Sequence, residues 1–165
     1  MCGIAGLVVK NSAQAAQGES TLAQMSAKLI HRGPDGEGLR WFANADFGLA
    51  HRRLSIIDLS AAAAQPMQLH ERYYLSFNGE IYNHRELRLE LELLGHQFLT
   101  DHSDTEVLVH GYEQWGDNLP LQLNGMFAFC IYDLNKKSWF FARDRFGEKP
   151  FYYYKKEDDR NIKKL

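Results

Sequence analysis

Cysteine is scarce in this chain of 165 residues. Two thiols, Cys2 and Cys130, cannot build a disulfide framework, and their rarity fits a reducing compartment. Long apolar runs are missing too, since nothing approaches the ~18 residues of a membrane span. The apolar start at residues 4–9 has no basic stretch before it, as a signal peptide would. These absences make a cytoplasmic location the expectation, with no membrane partner. An excess of charge of one sign is lacking as well. With 19 Lys and Arg against 21 Asp and Glu, the formal charge is −2, and there is no electrostatic case for nucleic acid. Neither GxGxxG nor GxxxxGK[ST] occurs, so nucleotide binding has no support in the sequence.

What is present is ordinary for a globular domain: 45% hydrophobic and 24% charged residues. A single domain of this length buries roughly 70% of its unfolded surface and needs no covalent staple. Apolar, β-branched and aromatic runs predict strands over 3–9, 38–43, 47–54, 73–77, 126–132, 139–142 and 151–154. Leu22, Met25 and Leu29 predict a helix over 21–30. A second helix starts at an Asn83/Glu86 capping box and stops at Gly95. A third starts at Ser103/Glu106, carries Leu108, Tyr112 and Trp115 on one face, and ends at Gly116. Segments 11–19 and 31–38 read as loops, and the charged tail 155–165 reads as disordered. Asn78–Gly79 and Asn124–Gly125 carry the turn signature of hairpins. Strands at both ends with helices between them predict an α+β sandwich.

Several residues have both a plain reading and a chemical one. Cys2 can be a small hydrophobe opening a buried strand. If Met1 is removed, its thiol and a free α-amine share one Cα. The amine's reference pKa of ~7.7–8.0 suits proton transfer beside the thiol. Arg53 by itself is a surface guanidinium, and Asp104 an acid favoured in a first helical turn. Cys130, in FAFCIYD, reads as core, and ARDRFGEK as a turn with local ion pairs. His96, His102 and His110 follow no zinc-ligand spacing, so no metal is expected.

Taken together and in order, MCGIAG, HRGPDGEG, HRRLSIIDL, QPM, FNGEIYNHRELR, SDTEVLVHGYEQWG, LNGMFAFCIYD and ARDRFGEKPFYY carry a family pattern. The chain resembles the glutaminase domain of class II glutamine amidotransferases, which belong to the N-terminal-nucleophile hydrolases, and in particular the asparagine-synthetase type. The resemblance covers residues 1–154. It implies a four-layer α/β/β/α sandwich of two mostly antiparallel sheets. It also implies that L-glutamine is hydrolysed to glutamate and ammonia through a thioester on Cys2. By the same resemblance, Asn78 and Gly79 form the oxyanion hole and Arg53 holds the substrate α-carboxylate. Asp104 and Glu80 hold the α-ammonium, and backbone groups around Leu54, Ile56 and Ile57 line the pocket.

No cofactor is implied for this half-reaction. ATP and Mg belong to a synthetase domain whose SGGxDS loop does not occur in this sequence. The implied partner is an ammonia-accepting synthetase domain or subunit. A second reading stays open: a non-catalytic binding or regulatory module of the same fold, or a fragment retaining Met1, whose α-amine would then be an amide.

Overall fold

The computed structural model describes residues 2–9, 16–42, 47–54 and 63–155. The first strand, β1 (Gly3–Val8), leads to helix α1 (Gly18–Lys28) and a 3₁₀ turn at Ile30–Arg32. Strands β2 (Gly36–Phe42) and β3 (Phe47–Arg53) follow. Both pair antiparallel, giving a three-stranded sheet ordered β1-β3-β2. A short β4 (Met67–Leu69) and a long β5 (Tyr73–Ile81) precede α2 (His84–Leu93), α3 (Asp104–Trp115) and the single-turn α4 (Leu119–Gln122). Strands β6 (Gly125–Asp133) and β7 (Ser138–Arg143) complete a four-stranded antiparallel sheet ordered β4-β5-β6-β7.

Alternation along the strands sorts the core into two layers. Leu75, Phe77, Ile81, Phe127, Phe129 and Ile131 point from the second sheet toward α3, where they meet Val107, Leu108 and Tyr112. The opposite face carries Tyr74, Cys130 and Tyr132, which meet Phe47 and Leu49 of the first sheet. Phe47 and Tyr132 are in ring contact across the gap, with centroids 4.0 Å apart. Helix α1 covers the far side of the first sheet. The layers are therefore α1, sheet, sheet, and α2 with α3, which is the expected α/β/β/α sandwich. Cys130 is core, as expected, and burial pushes its thiol up to about 12.

Local readings gave way where tertiary partners outbid them. Asn78–Gly79 is no turn. Pairing with Ala128 and Phe127 carries β5 straight through to Ile81, and Asn124–Gly125 sits at the entry to β6. Asn83 precedes α2 but does not cap it with its side chain. Its Nδ2 donates to the Gln122 carbonyl at 2.9 Å and its Oδ1 accepts from Asn124 N–H at 2.9 Å. Ser103 does cap α3, accepting from Glu106 N–H at 3.3 Å.

Helix α1 starts at Gly18, earlier than the apolar spacing suggests, with Glu19 in its first turn where it complements the helix dipole. Residues 151–154 form no strand. After Pro150 the chain has no ladder partner among the described residues, and Phe151 packs against Phe141 instead, centroids 5.4 Å apart. The ARDRFGEK turn is organised by hydrogen bonds to one carboxylate. Asp144 accepts from the backbone N–H groups of Phe127, Phe146, Glu148 and Lys149 at 2.8–3.2 Å. Burial opposes ionisation there, but those four donors hold the carboxyl below its usual range. Met1, the turn expected at 44–46, most of the 11–19 loop and the tail beyond residue 155 lie outside the described residues.

Candidate active site

The gap between the sheets opens where β1 begins. Gly3 faces α1's end of the sheet, because a Cβ there would meet Leu29 Cβ at 2.9 Å and Arg32 Cβ at 3.3 Å. That packing leaves little room for a side chain at residue 3. Alternation then turns Cys2 the other way, toward the second sheet. Its Sγ lies 3.5 Å from Leu54 N, which donates to it, and 3.8 Å from the Leu54 carbonyl. Leu54 thus stands beside Cys2 through its backbone. Ile56 and Ile57 fall outside the described residues.

Gly3 pairs with Arg52 in the register, so Cys2 stands beside the next residue, Arg53. Phe47, Leu49, His51 and Arg53 share the face of β3 that looks at the second sheet. His51 is 1% exposed and its Nε2 lies 3.2 Å from the Phe77 carbonyl. Burial is the main force lowering its pKa to about 4, with the Arg53 charge adding to it and the Phe77 bond opposing it. The ring is therefore neutral at pH 7, with its Nε2 proton on the carbonyl.

Opposite, β5 presents Asn78 and Glu80 on the same face as Tyr74. Asn78 is 6% exposed, and its Oδ1 has no hydrogen-bond partner among the described residues. A buried orphan of this kind costs about 1–3 kcal/mol, so this oxygen is not committed to holding the fold. Phe77 N–H donates to Gln65 Oε1 at 2.6 Å and Ile81 N–H to Asp104 Oδ2 at 3.2 Å, both away from β6. Across the ladder, Phe127 N–H turns to Asp144. Gly79, opposite Phe127, therefore belongs to a non-hydrogen-bonded pair, and its N–H points outward in the same row as those of Phe77 and Ile81. Its backbone needs no left-handed turn to do so. Residue 79 is glycine because a Cβ would strike the Met126 carbonyl, Phe127 Cα at 2.7 Å and Phe77 Cε2 at 2.8 Å.

Asp104, at the first position of α3, is 6% exposed. Burial raises its pKa, against the lowering effects of the Ile81 N–H, His84 and Thr105, and Glu80 raises it further. A chain of bonds joins it to β5: Thr105 Oγ1 to Asp104 Oδ1 at 3.5 Å, Gln65 Nε2 to Thr105 Oγ1 at 3.4 Å, then Gln65 Oε1 to Phe77. Sequence reasoning singled out neither His51, Gln65 nor Thr105. Their signal lay only within the ordered motifs HRRLSIIDL, QPM and SDTEVL, and no local periodicity distinguishes them.

Two antiparallel sheets packed face to face between helical layers are the architecture of the N-terminal-nucleophile sandwiches. The glutamine amidotransferase domain family matches residues 1–162, and the chain belongs to that family. It is 46% identical over 155 residues to asparagine synthetase [glutamine-hydrolyzing] 1 of Bacillus subtilis, a match covering 93% of this chain and 24% of that protein. It is 43% identical to asparagine synthetase [glutamine-hydrolyzing] 3 of Arabidopsis thaliana, covering 92% of this chain and 25% of the relative. The chain thus spans about a quarter of the length of these relatives. Among solved structures it resembles glutamine phosphoribosylpyrophosphate amidotransferase from B. subtilis, complexed with ADP and GMP. That match has a TM-score of 0.52 at 20% identity, over 81% of this chain and 35% of the other, and it shows the shared fold. The chain is a glutamine amidotransferase domain, and these relatives are asparagine synthetases. No helix among the described residues is long and apolar enough to cross a membrane.

Proposed function

We propose that this domain hydrolyses the side-chain amide of L-glutamine, with Cys2 as nucleophile, and supplies the ammonia to a synthetase. The observation that carries the reading is the convergence of Cys2 Sγ, the Leu54 N–H on that sulfur, Arg53 and Asn78 on the gap between the sheets. In the proposed cycle Sγ gives its proton to the free Cys2 α-amine as it bonds to the carboxamide carbon, and the oxyanion accepts from the Asn78 side-chain N–H and the outward-facing Gly79 N–H. The C–N bond then breaks and ammonia leaves with a proton from the Cys2 α-amine. Water attacks the thioester, glutamate is released and the thiol recovers its proton.

The substrate is a zwitterion, and one fixed cation and one fixed anion suit it. Arg53 presents a guanidinium fork to the α-carboxylate. Asp104, a carboxylate held in a buried setting that resists its charge, gains from the α-ammonium, with Glu80 beside it. This hydrolysis calls on no cofactor, and ATP and Mg belong to the synthetase that consumes the ammonia. The α-amine is free only if Met1 is removed, so the intact mass of the purified protein is expected to lack one methionine. Glutamate release from glutamine, and covalent capture of Cys2 by a diazo-ketone glutamine analogue, are expected of that protein and lost in Cys2→Ala. Unchanged glutamate release by Cys2→Ala overturns the mechanism. A retained Met1 with no turnover favours the non-catalytic module.

A further inference from the structure

A second cluster of chemistry-bearing side chains lies on the outer side of the second sheet, where the segment after α2 crosses α3. Helix α2 closes with Gly95 N–H on the Glu92 carbonyl and His96 N–H on the Leu91 carbonyl, each at 3.0 Å, which pins His96 against α3. There its Nδ1 lies 3.1 Å from His110 Nδ1 and 3.6 Å from Glu113 Oε2. His110 and Glu113 are three residues apart on one face of α3. The hollow they line has a volume of about 310 Å³ and also touches His70, whose Nδ1 is 3.2 Å from Glu113 Oε1.

The remote nitrogens of the two rings lie near oxygen atoms, although His110 Nε2 makes no hydrogen bond. His96 Nε2 lies 3.1 Å from Gln114 Oε1, an acceptor. His110, 1% exposed, has its Nε2 3.7 Å from Glu106 Oε1. Glu106 also accepts from Leu99 N–H at 2.6 Å and Thr100 N–H at 2.8 Å, so its oxygens are committed as acceptors. A neutral imidazole carries one N–H. A metal would take each ring with its proton on Nε2, on the side of these oxygens, so that both Nδ1 lone pairs and a carboxylate oxygen meet at one point. That arrangement is repulsive unless a cation joins them. The outward partners, an amide oxygen and a carboxylate, are those that orient metal-bound histidines. Ligand atoms on a tetrahedral zinc ion stand about 3.4 Å apart, and the separations of 3.1 and 3.6 Å bracket that figure.

We propose that His96 Nδ1, His110 Nδ1 and the Glu113 carboxylate form a binding site for a divalent transition-metal ion of the zinc class. His70 is placed to steady the far oxygen of Glu113. The sequence gave no such pattern because the ligands come from two elements, fourteen residues apart between the histidines. His102, which the sequence offered beside them, is not in the cluster. Glu113 lies nine residues along α3 from Asp104, roughly 14 Å at the helical rise, so the ion would clamp the segment after α2 to α3 without touching glutamine.

The test uses the untagged full chain carrying Cys2→Ala, which removes the competing thiol, stripped with a chelator. Zinc is titrated by calorimetry and cobalt(II) by visible absorption. One equivalent is expected to bind, with intense ligand-field bands of four- or five-coordinate cobalt and a raised melting temperature. His96→Ala and Glu113→Gln are each expected to weaken binding at least about tenfold while His102→Ala leaves it unchanged. Circular dichroism of the metal-free variants shows whether they are folded. Absence of saturable one-to-one binding, or equal affinity in folded His96→Ala and Glu113→Gln, overturns the site and leaves a proton as the shared cation.

Discussion

Acidifying this domain is expected to cost stability through one ring, His51. Its side chain is 1% exposed and is bonded to the Phe77 carbonyl at 3.2 Å. Burial lowers its pKa from 6.5 to about 4. The unfolded chain takes up a proton near pH 6.5 that the folded chain refuses until about pH 4. In that window the unfolded state binds more protons, so stability rises with pH. The contribution is complete above about pH 6.5 and is lost progressively as the pH falls toward 4. At about 1.4 kcal/mol per unit, the separation is worth about 3 kcal/mol. The comparison is His51→Gln, which keeps a donor for the Phe77 carbonyl and does not titrate. Urea unfolding of both proteins across this range is expected to show the native chain losing about 3 kcal/mol more than the variant. Every other group is common to both proteins and cancels in the difference. Parallel curves would falsify the reasoning. A second readout is catalytic: the ring fixes β5 one residue before Asn78, so protonating it is expected to depress kcat on the acid side.

The substrate-site assignments make further predictions. Asn78→Ala is expected to lower kcat by ~10²–10³ with little change in KM, and Arg53→Ala mainly to raise KM; steady-state kinetics giving the reverse would exchange their roles. Gly79→Ala forces a Cβ against the β6 backbone and is expected to cost about 1–3 kcal/mol in urea unfolding, with an unchanged midpoint showing that β5 has room to move. Asp104→Asn removes a carboxylate whose pKa burial raises. Ionising it weakens the fold as pH climbs above 3.8, so the variant is expected to melt higher than the native chain at neutral pH without glutamine. The same change is expected to raise KM by about 10–100-fold, and an unaltered KM removes Asp104 from the substrate site.

What the sequence determined by itself was the set of elements whose signals are local, together with their ordered motifs. The apolar face of α3, its Ser103 cap and the Gly95 stop need only neighbours three to six residues away. The family pattern drew Cys2, Arg53, Asn78 and Asp104 out as site expectations. Only the tertiary structure decided the rest, because the deciding partners are distant in the chain. Asn78–Gly79 reads as a turn until β6 lies beside it, and Asn83 caps its helix until Gln122 and Asn124 claim its amide. His51 becomes a neutral tie between the sheets only when Phe77 supplies a carbonyl 26 residues away. The His96–His110–Glu113 cluster exists only because α2's end is folded onto α3. Hydrogen bonds and desolvation act over a few ångströms, so any site assembled from separate elements stays hidden in a linear pattern until packing brings it together.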